Sequence, residues 1–170
     1  AALGSYIIAS HVFGGASHGD EDHSAKRAYP IEGVEVKQAD AGAAAKPAGP
    51  EPILALLASA SVEAGQAASK KCATCHTFEQ GGANKVGPNL WNTVNNTKGH
   101  APGFAYSTAL KEKGGTWDYE ALNHFLWKPQ SYIPGTKMAF AGIAKPEERA
   151  AIIMYLRSLA SSPAPLPAAE

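Results

Sequence analysis

Cys72-Ala-Thr-Cys75-His76 constrains the fold of this chain more than any other stretch. Two thiols with two residues between them, followed directly by an imidazole, match the attachment motif for a c-type haem. Each thiol adds across one vinyl group of the macrocycle to form a thioether, and the adjoining His76 is placed to ligate the iron from one face. The rival readings are a thioredoxin-like dithiol, half of a zinc site and a structural disulfide. The chain has 2 Cys, and no second Cys or His pair at zinc spacing accompanies them. Nor does the sequence alternate apolar strands with helices, the setting in which a redox dithiol is expected. The motif therefore predicts a fold built around a covalently held cofactor.

The rest of the chain divides by composition. The 17 Gly and 12 Pro among 170 residues are too many for one uniformly packed domain, so a core with an extension is expected. Residues 1–13, AALGSYIIASHVF, are apolar but shorter than the ~20 residues a helix needs to span a bilayer. We expect them to be the outer, C-terminal end of a membrane anchor; a signal remnant or a frayed tail is the rival reading. Residues 14–52 are poor in large apolar side chains and rich in Ala, Gly, Pro and charge, which predicts a flexible tether. As a random coil it would span about 35 Å. Its His18 and His23 lie near acids, yet read as solvated linker residues rather than metal ligands.

Residues 53–160 form the expected haem domain, and residues 161–170 an extended, exposed Pro-rich tail. Helical patterning begins at Ile53 to Leu57 and continues from Ser61 to Lys71 into the cysteine motif. A short helix is predicted from Ser107 to Lys113, stopped by Gly114-Gly115. Thr116 reads as the cap of a helix from Trp117 to Trp127 that must end before Pro129. The last helix starts at Pro146, carries Glu147 and Glu148 in its first turn, and runs to about Ala160. Its Ile152, Ile153, Leu156 and Leu159 make one apolar stripe. No strand-rich region is present, so the fold class expected is all-α, with helices and long loops wrapped around one haem.

Four downstream side chains can donate to the second face of the iron: His100, His124, Met138 and Met154. Met154 lies in the apolar stripe of the last helix and reads as core. His100 sits in a Gly/Pro-rich loop and His124 within a helix, where packing or surface roles are expected. Met138 follows a turn fixed by Pro134 and Gly135 that can present a thioether to a buried iron.

The stretches KCATCHTFEQGG, VGPNL, APGFAY, YIPGTKMAFAGI and ERAAIIMYLRSL, in that order, resemble class I cytochrome c over nearly all of residues 61–160. The resemblance implies thioether anchors at Cys72 and Cys75, axial ligands at His76 and Met138, and the Pro88 carbonyl as the acceptor that orients the His76 ring. It also implies that Tyr106 and the indole of Trp117 bind haem propionates, and that Gly87, Leu90, Leu126 and Phe140 help close the pocket. Three positions depart from the family pattern. Asn96 stands where an Arg often faces the inner propionate, Phe125 where a Tyr often donates to the ligand Met, and Ala68 where an aromatic often packs on the last helix. The apolar start and long extension are similar in architecture to the membrane-anchored cytochromes c of alphaproteobacteria.

An iron with both axial positions filled transfers electrons and binds no substrate, so the chain is expected to be a carrier and not an enzyme. The expected donor is a cytochrome bc-type complex, and the expected acceptor a haem-copper oxidase, joined or replaced by a photosynthetic reaction centre. The expected location is the periplasmic side of a bacterial inner membrane. Net charge is zero, but residues 1–52 sum to −3 and residues 53–170 to +3, so the basic balance falls on the haem domain. No basic run suggests nucleic acid. Lys71, Lys85, Lys137 and Lys145 match the family positions around the exposed haem edge and would steer docking onto acidic partners. Two alternatives stand beside the mobile carrier: a fixed subunit of a respiratory supercomplex, and a haem peroxidase or gas sensor with a labile Met138.

Overall fold

The computed structural model describes residues 49–168. The anchor expected over 1–13, most of the tether over 14–52, and His18 and His23 lie outside the described residues. Helices α1 (Leu54–Leu57), α2 (Val62–Ala68), α3 (Thr108–Lys113), α4 (Tyr119–Trp127), α5 (Pro129–Tyr132) and α6 (Pro146–Ser158) follow one another along the chain. Among the described residues no strand forms. One isolated antiparallel bridge joins Thr97 to Thr116. No described helix is long and apolar enough to cross a membrane.

The caps explain where most helices start. Ser61 is extended and its hydroxyl accepts from the Ala64 N–H, which satisfies one of the unpaired donors of the first turn of α2. Ser107 does the same for α3 through the Leu110 N–H. The helix after Trp117 is capped by Asp118, whose carboxylate accepts from the Ala121 N–H at 2.7 Å, and not by Thr116. Trp117 is held outside the helix because its N–H already donates to the Asn96 carbonyl at 2.8 Å. The segment predicted as one helix from Ser61 to Lys71 tightens into a 3-10 turn over Ser69–Lys71. Helix α5 is an addition: Pro129 stops α4 and, being at N1, opens a new turn.

The core gathers around α4 and α6. Ile152, Ile153 and Leu156 of the apolar stripe are buried with Ile53, Leu57, Leu122, Leu126, Ile133 and Met154. Each fully buried aliphatic side chain of this kind contributes about 1.5–3 kcal/mol. Helices α2 and α6 cross closely because Gly65 has no side chain; a Cβ there would lie 1.9 Å from the Ala151 carbonyl oxygen. Beside the crossing, Phe78 and Tyr155 pack ring against ring at 5.5 Å.

Packing begins before the compositional boundary at Pro52. Pro50 is buried, and the Glu51 carbonyl accepts from Asn123 and Arg149. The tail after α6 is irregular and mostly exposed, yet Arg157 donates to the Ala164 carbonyl and the Tyr119 hydroxyl to that of Pro165. These bonds tie the tail to α4 and α6.

Candidate haem site

The cysteine motif continues the 3-10 turn as a helical turn. The N–H of Cys75 and of His76 both donate to the Cys72 carbonyl, at 3.0 and 2.9 Å. That winding places the two thiols three residues apart on one side of the turn. Both are free and half-buried. Burial pushes the Cys72 thiol above its ordinary pKa, and nearby Lys71 only partly opposes this.

The loop 85–90 is bound to the motif. Gly87 N–H donates to the Cys75 carbonyl at 2.8 Å, and Leu90 N–H to that of Thr77 at 2.9 Å. This brings the Pro88 carbonyl to 2.7 Å from His76 Nδ1. A carbonyl can only accept, so Nδ1 carries the proton and Nε2 keeps its lone pair. Burial holds the His76 pKa below its usual value, against the opposing pull of the Pro88 bond. The neutral ring is the form that binds a metal. Gly87 is required for this fit, since a Cβ there would stand 2.4 Å from His76 Cε1.

Met138 is held by its backbone. Gln130 Nε2, in α5, donates to the carbonyls of Thr136 at 2.9 Å and Met138 at 3.2 Å. Gly135, at φ 88°, turns the chain, and Thr136 N–H closes the turn onto the Ile133 carbonyl. The Met138 side chain is half-buried. Along with Leu90, Tyr106 and Phe140 it packs against the core cluster that contains Trp117, Phe125 and Leu126. The Tyr106 hydroxyl accepts from the Ala101 N–H at 3.1 Å, and burial raises its pKa. Trp117 is buried against Phe125, with ring centroids 4.8 Å apart.

The other sequence candidates pack elsewhere. His124 stacks on Tyr132. His100 Nε2 lies 3.3 Å from the Trp91 carbonyl oxygen. Asn96 spends its amide on its own loop, donating to the Asn92 carbonyl and accepting from Thr97 N–H. Sequence reasoning missed Lys98, whose ammonium lies 5.0 Å from the Trp117 ring centroid and donates to the Thr116 carbonyl. It also missed Gln130 and Arg149, whose partners become apparent only from the folded loops.

Of the four lysines, Lys71 pairs with Glu148. Lys85 Nζ donates to the Ala73 carbonyl at 2.6 Å, and Lys137 Nζ to that of Ala105 at 2.7 Å. Lys145 is exposed at the start of α6. Carbonyl contacts leave a lysine its charge, whereas Glu148 offsets that of Lys71.

Two free thiols on one turn, a neutral imidazole with its Nε2 lone pair unspent, and a thioether against the apolar core fit a covalently bound haem c. The comparisons agree. Residues 62–160 match the cytochrome c family. The chain is 55% identical over 132 residues to a cytochrome c homolog of Bradyrhizobium diazoefficiens, covering 77% of this chain and 71% of that one. A cytochrome c homolog of Rickettsia bellii is 41% identical over 132 residues, covering 78% and 75%. Both alignments are longer than residues 53–170 together, so they reach into the N-terminal extension. Among solved structures, cytochrome cH from Methylobacterium extorquens superposes with a TM-score of 0.54 at 42% identity, covering 58% of this chain and 98% of that one. The chain belongs to the cytochrome c family, whose members carry one covalent haem c and are electron-transfer proteins, not enzymes.

Proposed function

We propose that this cytochrome c carries single electrons from a cytochrome bc-type complex to a haem-copper oxidase or a photosynthetic reaction centre, while tethered to the periplasmic face of a bacterial inner membrane. The observation that carries the reading is the His76 geometry: with Nδ1 committed to Pro88, only Nε2 remains to bind the iron of a haem that Cys72 and Cys75 would anchor. Met138 would supply the other axial donor. Bound haem supplies a one-electron ferric/ferrous couple, and a thioether ligand favours the reduced state.

The residues of this chain hold and insulate that couple. Pro88 fixes the His76 ring, Gly87 lets the two approach, and Gln130 keeps the Met138 turn in place. Trp117 and Leu126 in the core and Phe140 packed against it would line the apolar side, while Trp117 and Tyr106 would offer an indole N–H and a phenol to the propionates. Lys85, Lys137 and Lys145 supply a basic docking face, with Lys71 weakened by Glu148. The +3 balance of residues 53–170 supports the same face. Support for the tether comes from the composition of residues 14–52 and from alignments that extend beyond the haem domain.

Washing isolated membranes with high salt tests the location. Retention of the haem protein is expected, and its release would sink the anchor. Mobility of residues 14–52 in the assembled membrane distinguishes a travelling carrier from a fixed supercomplex subunit, which would hold them rigid.

A further inference from the structure

Arg149 is a buried cation with no exposed surface. Its guanidinium has five N–H donors in a rigid plane, and they reach three separate parts of the fold. Nε donates to Asn123 Oδ1 at 2.7 Å, in α4. Nη1 donates to the carbonyls of Ile143 at 2.9 Å and Ala144 at 2.7 Å. Nη2 donates to the Glu51 carbonyl at 3.2 Å and lies 3.5 Å from its carboxylate. Asn123 reinforces the last link, its own amide donating to the Glu51 carbonyl at 3.1 Å.

Two of these parts have separate significance. Ile143 and Ala144 end the loop that presents Met138, and Ile143 N–H is itself fixed to the Leu126 carbonyl at 2.8 Å. Residues 49–53 are where the N-terminal extension enters the domain, with Pro50 buried and Ile53 showing no exposed surface. We propose that residues 49–53 act as a strap that steadies the Met138 loop through Arg149, so that the entry of the extension and thioether ligation of the iron are coupled. The coupling rests on Met138 being the axial ligand. Its physical basis is the cost of a buried charge without partners, which greatly exceeds the worth of any single bond it makes. When the strap lifts, Nη2 and the Asn123 amide lose their acceptor. The guanidinium then shifts toward new partners, and the Ile143 and Ala144 carbonyls lose their hold.

The test uses the full-length ferric holoprotein and imidazole as an added ligand, which binds the iron only after Met138 leaves. Its apparent dissociation constant varies inversely with the population without the iron–sulfur bond. Ile53→Ala lifts the strap without touching the guanidinium. Leu57→Ala is the control: it is equally buried in α1, and the backbone bond from its N–H to the Ile53 carbonyl survives the substitution. Ile53→Ala is expected to tighten imidazole binding about tenfold, the factor set by one lost hydrogen bond to a charged group. Leu57→Ala should leave imidazole binding within about twofold of the wild type. Arg149→Lys should tighten it as Ile53→Ala does, and adding Ile53→Ala to Arg149→Lys should bring no further change. Equal effects of Ile53→Ala and Leu57→Ala, or additive effects of the two strap changes, would overturn the coupling. If Arg149→Lys does not fold, the comparison of Ile53→Ala with Leu57→Ala still decides. A wild type without the iron–thioether charge-transfer band would remove the Met138 reading and the coupling together. The band present with Ile53→Ala silent would remove the coupling alone.

Discussion

His76 shows how few atoms decide the chemistry of this chain. The Pro88 carbonyl selects the tautomer, burial keeps the ring neutral, and Gly87 leaves no Cβ in the way. Gly87→Ala would drive a methyl into the ring, so it should destabilise the holoprotein by about 1–3 kcal/mol. The denaturant midpoint, followed by haem absorption, checks this; an unchanged midpoint would mean that the ring is not gripped by the loop. The sequence displays Cys72, Cys75 and His76 openly, because a covalent cofactor demands particular residue types at fixed spacing, whereas Met138 stands out only through its turn and the family resemblance. It hides Arg149 and Gln130. On a helical pattern Arg149 looks like one more charge beside Glu147 and Glu148, and only folding brings the Glu51, Ile143 and Ala144 carbonyls around it. Asn96 is a related case. Its position matches that of a charged propionate partner, but its amide is consumed by its own loop.

Among the elements, the α2–α6 crossing holds the helix that leads into the cysteine motif against the last helix. Gly65 permits it, and the adjacent Phe78–Tyr155 pair seals it. Gly65→Ala places a methyl against the Ala151 backbone, which cannot move without displacing α6. The gain in helix propensity, about 1 kcal/mol, is outweighed by that overlap. A net loss of about 1–3 kcal/mol in chemical denaturation is expected, and a net gain in stability would show that the helices are not in contact there. Asp118→Ala should cost about 1 kcal/mol by removing the cap of α4, whereas Thr116→Ala should cost less than half of that in the same assay. Start and stop signals made the positions of α3, α4 and α6 readable, namely Gly114-Gly115, Pro129 and Pro146. The exact cap was not, because Thr116 and Asp118 are both good cap residues and the choice falls to the hydrogen bond between Trp117 and Asn96. Helix α5 was missed for a similar reason, since Pro129 signals both a stop and a start.

For the molecule as a whole, charge and coordination make separable claims. The proposed basic face on the haem domain implies that association with an acidic redox partner slows as ionic strength rises. Stopped-flow electron transfer to a haem-copper oxidase at increasing salt measures this; Lys85→Glu and Lys137→Glu should flatten the dependence more than Lys71→Glu, because Glu148 already offsets Lys71. A rate indifferent to salt would remove the docking face and leave the carrier intact. The coordination claim is the central one, since an electron carrier needs an iron with no position open to substrate. Exposure of the reduced protein to carbon monoxide at neutral pH tests it directly. The wild type should show no spectral change, while Met138→Ala should bind the gas stoichiometrically; carbon monoxide binding by the wild type would contradict the closed His76/Met138 site.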